Sequence, residues 1–306
     1  MKNFFLTGAS GFLGSRWYLK KKKNDRYLLG YNNTKINVLK KNKILTNVNN
    51  LNKIKKSLEK FRPEFIIHTA GITSVEFCEM NKRSCYINNF ILTKELVKIC
   101  NRINCKFVYI SSDHLFSGNK SFYTESAKTK PLNYFAETKI LSENFIKQKS
   151  KSFLIVRTNF IGNSLYSKKS FLNNIINSLK EKKKLFLFKD VFFTPIRIDL
   201  LIDIVHRLLD LNIEGVYNVV GDERISKYQF GLKVAKVFKI KSKLIYPKNF
   251  KSFNLVKRPL DMSLSNLKLK RILKVKKIEN INEALIKIRR GYNGTSLKNI
   301  KKFIII

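Results

Sequence analysis

Three glycines near the start of the chain, Gly8, Gly11 and Gly14, follow the short apolar run Phe4–Thr7. At this spacing each glycine has a separate task. Gly8 lets the chain turn sharply, Gly11 lets the backbone approach a pyrophosphate, and Gly14 lets the next helix pack close to the strand. The helix N-terminus adds amide donors and the positive end of its dipole. A dinucleotide is the first ligand this pattern suggests; the competing reading is an ordinary tight strand–helix turn. A second group of polar side chains, Ser111, Ser112 and Asp113, closes the apolar run that starts at Lys106. In a doubly wound sheet the carboxyl ends of the strands face the ligand crevice, so these groups stand where chemistry is expected.

The elements that would position them alternate between strand and helix. Phe4–Thr7, Arg26–Tyr31, Phe65–Thr69, Lys106–Ser111 and Ser152–Arg157 read as strands. Helices are predicted from Gly11 to about Lys23, over Leu51–Lys60, over Ser84–Asn101 and from Tyr134 to about Gln148. Continuous apolar strands alternating with helices predict a doubly wound parallel (Rossmann) sheet covered on both faces. After residue 160 the pattern loosens, with helices expected at Phe171–Lys180, Asp199–Leu211 and Lys227–Phe238 and a strand at Gly215–Val220. The predicted organisation is a nucleotide-binding domain over 1–160, to which 195–220 return. A smaller C-terminal α/β substrate-binding lobe is predicted from 161–194 and 221–306.

The formal net charge of +41 suggests an anionic partner such as nucleic acid. However, the lysines are spread along the whole chain among many Asn, Ile and Phe, a mixture expected of A/T-rich codons, so no nucleic-acid partner is predicted. The run Lys20–Lys23 falls where the first helix should end, and positive charge is favourable there. The four cysteines, Cys78, Cys85, Cys100 and Cys105, form no Cys-x-x-Cys pair and lie near no His at zinc-ligand spacing. They are expected to be reduced and structural, with no metal bound, as suits a cytoplasmic protein. There is no secretory signal and no apolar run of about 18 residues, so no membrane span is predicted. The Asn293-Gly-Thr295 triplet is therefore read as a chance match to a glycosylation acceptor. The end of the second strand reads Gly30-Tyr-Asn-Asn-Thr-Lys35, with no acid to bind ribose hydroxyls and one base nearby. This favours NADP over NAD, unless Lys35 is simply a surface lysine.

Pro131-Leu-Asn-Tyr-Phe-Ala-Glu-Thr-Lys139 completes a pattern that resembles the extended short-chain dehydrogenase/reductase family, in its dTDP-4-dehydrorhamnose reductase branch of sugar-nucleotide reductases. The resemblance runs over nearly the whole chain. It includes Thr7 to Gly14, Ala70-Gly-Ile-Thr73, Asn88, Ser111 to Asp113, Glu125, Arg157-Thr158, Thr194-Pro-Ile196, Asp199, Gly221 to Tyr228 and Arg258 to Leu264. It implies NADPH as cofactor, held by Gly8, Ser10, Gly11, Phe12, Leu13, Asn32, Asn47, Ala70, Gly71, Thr73 and Lys139. It implies a nucleotide sugar as substrate, near Ser112, Asp113, Phe160 and Arg258. In such enzymes a Ser or Thr holds the keto oxygen, a Tyr donates a proton as hydride arrives, and a Lys binds the ribose and lowers the Tyr pKa. Ser112 and Lys139 match the first and third roles.

The tyrosine does not match. The family spacing Tyr-x-x-x-Lys calls for Tyr at 135, where this chain has Phe135, with Tyr134 one residue earlier. One residue is about 100° of helix rotation, so a regular helix would turn Tyr134 away from that position. Three explanations remain open: an enzyme that is impaired or has become a binding protein, Tyr134 reaching in through a distorted helix start, or another acid such as His114 or a water held by Ser112. Asn47 stands where the family often has an Asp near the adenine, and Asn can still donate and accept. The branch signature Asp-Gln-x-Gly-x-Pro-Thr is altered to Asp190-Val-Phe-Phe193, which leaves the sugar open. Phe160 suits either a sugar-facing aromatic or the core. Two functions follow: an NADP(H)-dependent reductase of a nucleotide-linked keto sugar that feeds surface polysaccharide synthesis, or a silent NADP-binding regulatory protein of the same fold. A homodimer or a partner enzyme fits either.

Overall fold

The apolar runs form the parallel strands of one central sheet in the computed structural model, which describes residues 1–32, 42–164 and 170–292. Lys35, the Asn293-Gly-Thr295 triplet and the lysine-rich end lie outside the described residues. The sheet strands are β1 (Asn3–Thr7), β2 (Arg26–Tyr31), β3 (Lys43–Leu45), β4 (Phe65–His68), β5 (Lys106–Ile110) and β6 (Phe153–Arg157), with β11 (Gly215–Asn218) added at one edge. The spatial order is β11-β6-β5-β4-β1-β2-β3, and every pairing is parallel. Alternate residues feed opposite faces. Phe4 and Leu6 join one core with Leu13, Trp17, Leu201 and Leu208, whereas Phe5 joins Ile54, Leu58, Leu96 and Phe107 on the other. The chain reverses its direction across the sheet between β1 and β4, so the crevice of this doubly wound fold opens at Thr7 and His68.

The flanking helices are α1 (Phe12–Leu19), α2 (Leu51–Phe61), α3 (Val75–Met80), α4 (Lys82–Cys85), α5 (Leu92–Arg102), α6 (Tyr134–Lys149) and α8 (Ile198–Asp210). The predicted helix over Ser84–Asn101 is interrupted: a π-helical turn at Tyr86–Ile91 separates α4 from α5. The Asn89 carbonyl there accepts from the hydroxyls of Thr93 (2.5 Å) and Ser142 (3.0 Å). Helix α8 docks on α1, where Arg16 donates to both carboxylate oxygens of Asp199 at 2.6 and 2.8 Å.

A second core is built from α7 (Phe171–Lys180), α9 (Lys227–Phe238) and α11 (Ile281–Tyr292), with α10 (Leu267–Leu273) instead closing on the main sheet. Its short strands are β8 (Leu185–Phe188) with β13 (Ile245–Lys248), and β9 (Phe192–Phe193) with β12 (Ile225–Ser226). Between the two cores, β7 (Phe160–Ile161) pairs with β10 (Ile196–Arg197). Among the described residues no helix is long and apolar enough to cross a membrane, and no cluster of metal-ligating side chains is present. One cysteine expectation is corrected. Cys100 and Cys105 form a disulfide across the turn from α5 into β5, with Cα atoms 5.2 Å apart, because that turn folds the two residues back on each other. Cys78 and Cys85 remain free and buried.

Candidate active site

The glycine-rich turn is shaped by backbone contacts. Gly8 has φ +65°, and a Cβ there would sit 2.8 Å from the Ala70 amide nitrogen. A Cβ on Gly14 would sit 2.2 Å from the Gly8 carbonyl oxygen, so α1 lies directly against the turn. Gly11 caps α1 with extended backbone, its amide bonded to the Gly8 carbonyl at 2.8 Å. A Cβ there would meet only that carbonyl, leaving the space in front of the helix open. Ser10 and Phe12 are half-buried beside it, while the Leu13 side chain is in the core and only its backbone can serve a ligand.

Across the crevice, the Thr69 hydroxyl donates to the Thr7 carbonyl at 2.7 Å, and the Ala70 amide donates to the Thr7 hydroxyl at 3.3 Å. Asn89 clamps the next loop: its Oδ1 accepts the Ile72 amide at 2.7 Å and its Nδ2 donates to the Ile72 carbonyl at 3.0 Å. Gly71 and Thr73 are thus held exposed at the crevice edge. Asn88 instead turns back to the Ser84 carbonyl. Asn32 is exposed at the end of β2. Asn47 follows β3, and its buried Oδ1 has no partner among the described residues. An orphaned acceptor there, open space at Gly11 and a run of amides at a helix start fit a dinucleotide.

At the end of β5, Lys139 donates from Nζ to the Ile110 carbonyl at 2.7 Å and lies 4.2 Å from the centre of the Tyr109 ring. Burial pushes its pKa down to about 8, against the opposing charge of Glu143. Ser112 donates to Asp113 at 3.3 Å and accepts the His114 amide at 3.2 Å. The other Asp113 oxygen accepts from Asn159 at 2.6 Å, so its carboxylate faces inward. Beneath these residues, Glu143 accepts from Ser111 (2.7 Å) and from the Arg157 guanidinium (2.7 to 3.2 Å). Arg157 also donates to the Glu125 carbonyl at 3.1 Å. This buried pair ties α6 to β6 and supports the strand ends that carry Ser112.

Helix α6 starts regularly. Asn133 has extended backbone and its side chain accepts the Ala136 amide at 3.0 Å. Phe135 therefore points inward, 6% exposed, packed on Val75, Cys78 and Cys85 and edge-on to His114 at 5.8 Å. Tyr134 turns toward α3 and α4. Its amide donates to Glu79 at 3.0 Å, and the Lys82 ammonium lies 5.4 Å from its ring centre. The structure thus brings Ser112 and Lys139 together and leaves Tyr134 outside, because the cap at Asn133 removes the distortion it would need. His114 stands 4.0 Å from Asp113, and burial lowers its pKa below the usual imidazole value, so it is neutral at pH 7. Phe160 touches Phe12 at 5.7 Å and packs against the main core. Arg258 is ion-paired with Glu76.

Sequence reasoning missed Glu143 and Asn89. Glu143 lies one helical turn beyond Lys139, a spacing that puts both on one face. The Asn89 clamp depends on the π turn, which no local pattern announces.

A parallel doubly wound sheet with a glycine turn, a hydroxyl at the end of β5 and a buried lysine on α6 defines a Rossmann-like, dinucleotide-binding architecture. Residues 1–289 match the RmlD substrate binding domain, and the chain belongs to that family. It is 24% identical to methionine adenosyltransferase 2 subunit beta of Xenopus tropicalis, over 87% of this chain and 81% of that protein. It is also 24% identical to dTDP-4-dehydrorhamnose reductase of Escherichia coli K12, over 59% of this chain and 62% of that one. In three dimensions it resembles dTDP-4-dehydrorhamnose reductase of Bacillus anthracis, solved in complex with NADP. The TM-score is 0.84 at 22% identity, covering 94% of this chain and 99% of that one.

Proposed function

We propose that this protein is an NADP(H)-dependent reductase of a nucleotide-linked 4-keto sugar. The reading rests on one observation: Ser112 and the Lys139 ammonium lie together at the end of β5. NADPH, when bound, supplies hydride. Gly8, Ser10, Gly11, Phe12 and Leu13 would hold its phosphates, Asn47 its adenine, and Ala70, Gly71, Thr73 and Lys139 its ribose end. Ser112 would hold the keto oxygen, with Phe160 and Arg258 toward the sugar nucleotide. The residue division proposed for these tasks is 1–160 with 195–220 for cofactor and the remainder for substrate. The product would feed surface polysaccharide synthesis in the cytoplasm.

Phe135 favours a second reading, a silent NADP-binding subunit that serves a partner enzyme. The similarity to an adenosyltransferase subunit supports it. Calorimetric titration of NADPH, with NADPH oxidation followed in the presence of dTDP-4-keto-6-deoxy sugars, separates the two. The reductase reading expects binding and sugar-dependent oxidation. Binding with no oxidation of any keto sugar supports the subunit reading, and no binding removes both.

A further inference from the structure

Helix α3 carries Val75 and Cys78 one turn apart on one face, and α4 ends at Cys85. The turn at Asn81 folds the two short helices together. The Cys78 and Cys85 sulfurs stand 2.6 Å apart, with one thiol hydrogen shared between them. Both side chains are fully buried, and Val75 and Phe135 close the cluster around them. Buried cysteines often serve only as small apolar side chains, but this pair is polarised. Asn89, one turn after Cys85, donates from Nδ2 to the Cys85 sulfur at 3.2 Å, and Thr138 Oγ1 stands 3.6 Å from it. The bond from Cys78, helped by Thr138 and by the Lys139 charge, holds the Cys85 thiol below its usual pKa against the effect of burial. Cys85 is therefore the sulfur best able to carry negative charge, and the thiolate is the reactive form of cysteine.

The pair also touches the crevice. The Asn89 amide that meets Cys85 is the one that clamps the Ile72 peptide at 2.7 and 3.0 Å. The Cys78 sulfur lies 3.8 Å from the same Ile72 carbonyl. Between the two cysteines in the chain, residues 80–84 line an open groove of about 530 Å³. Solvent thus comes within two residues of each cysteine, and the oxidant the site calls for is one little larger than water.

We infer that Cys78 and Cys85 form a dithiol site that a peroxide closes to a disulfide, loosening the Gly71–Thr73 loop. The effect on cofactor rests on the NADPH-binding reading above; the dithiol chemistry does not. The Cys85 thiolate attacks one peroxide oxygen, the O–O bond breaks, hydroxide leaves, and Cys85 becomes a sulfenic acid. The Cys78 sulfur then attacks the Cys85 sulfur and the S–O bond breaks. The departing hydroxide takes the Cys78 thiol proton and leaves as water. The first hydroxide takes up the proton that Cys85 had released. Two thiols lose two electrons, and one peroxide is reduced to two waters. The disulfide has no thiol hydrogen and no negative sulfur, so Asn89 loses an acceptor and the Ile72 carbonyl loses its thiol neighbour. An S–S bond of about 2.05 Å also draws α3 and α4 together beneath Phe135.

The test treats the folded protein with hydrogen peroxide, blocks remaining thiols by alkylation, and maps tryptic peptides by mass spectrometry. Trypsin cuts after Lys82 and Arg83, between the two cysteines. The expected product is peptide 61–82 joined to peptide 84–94, released by dithiothreitol and absent in Cys78→Ser and Cys85→Ser. Calorimetry on the same samples should show NADPH affinity about two- to tenfold weaker after oxidation, restored by dithiothreitol and unchanged by peroxide in either serine variant. Both cysteines recovered alkylated, or Cys85 recovered as an unlinked sulfinic acid, overturns the dithiol site. The joined peptides with unchanged NADPH affinity overturn its link to the loop. A reduced protein that does not bind NADPH overturns the cofactor reading instead, while the peptide map still decides the dithiol chemistry.

Discussion

Replacing Glu143 by Gln removes one charge from the buried pair beneath Ser112 and keeps the side-chain shape. Arg157 and Glu143 are 2% and 1% exposed, so the guanidinium cannot turn to water. The carboxylate loses its charge-assisted bonds to Arg157, the shortest at 2.7 Å, and its ionic acceptor for Ser111. Breaking a buried pair from one side costs about 3–5 kcal/mol, because the surviving charge is left uncompensated. Glutamine still offers one carbonyl oxygen, and the Glu125 carbonyl still accepts from Arg157, so the lower part of that range applies. For a chain of this size about 1 kcal/mol shifts the melting temperature by about 2 °C, giving a drop of about 6–8 °C in Glu143→Gln. Thermal melts by circular dichroism at low and high salt are the assay. The drop should persist at high salt, because screening reaches buried pairs weakly. Lys98→Met, which breaks the exposed Lys98–Glu95 pair on α5, should move the melt by no more than about 1 °C. A Glu143→Gln melt within about 2 °C of the unaltered protein would show that the pair does not support the strand ends.

Other expectations follow from the same contacts. Gly14→Ala places a Cβ 2.2 Å from the Gly8 carbonyl, so α1 must move off the turn. NADPH affinity by calorimetry should fall more than about tenfold, and unchanged affinity would remove the glycine turn from cofactor binding. Lys139 has a lowered pKa of about 8, so its ammonium is lost as pH rises through that value. NADPH affinity should weaken between pH 7 and 9, and Lys139→Met should flatten the profile; a profile unaffected by that change contradicts the ribose role. At Asp199, burial pushes the pKa up but the Arg16 bond and charge outweigh it, leaving the folded value below the usual one. Its stability is present above the ordinary carboxylate value, about 3.9, and is lost as pH falls through the folded value. Asp199→Asn should therefore melt lower at pH 6 and lose part of the acid-induced decline, and a variant with the same acid profile would argue against the α1–α8 tie.

The main sheet was legible because its strands are continuous apolar runs with helices between them. Arg26–Tyr31 and Phe171–Lys180 fall where the sequence places them. Strand β3 and the paired β8 and β13 were missed: each is short, and β8 and β13 find partners only far along the chain. The Ser84–Asn101 periodicity conceals a π turn, since the change from α to π hydrogen bonding leaves the apolar spacing nearly intact. The resemblance singled out Ser112 and Lys139, which the structure puts at the end of β5, and the Tyr-x-x-x-Lys spacing exposed the mismatch at Phe135. The cap at Asn133 that fixes the start of α6 was not read from the sequence; it emerges from the bond its side chain accepts from the Ala136 amide.

The most direct measurement of the central claim is NADPH oxidation by the unaltered protein with dTDP-4-keto-6-deoxy sugars, alongside calorimetric binding of NADPH. Sugar-dependent turnover with Phe135 in place is the predicted result. NADPH binding with no turnover on any keto sugar would contradict it and would identify the chain as a cofactor-binding subunit.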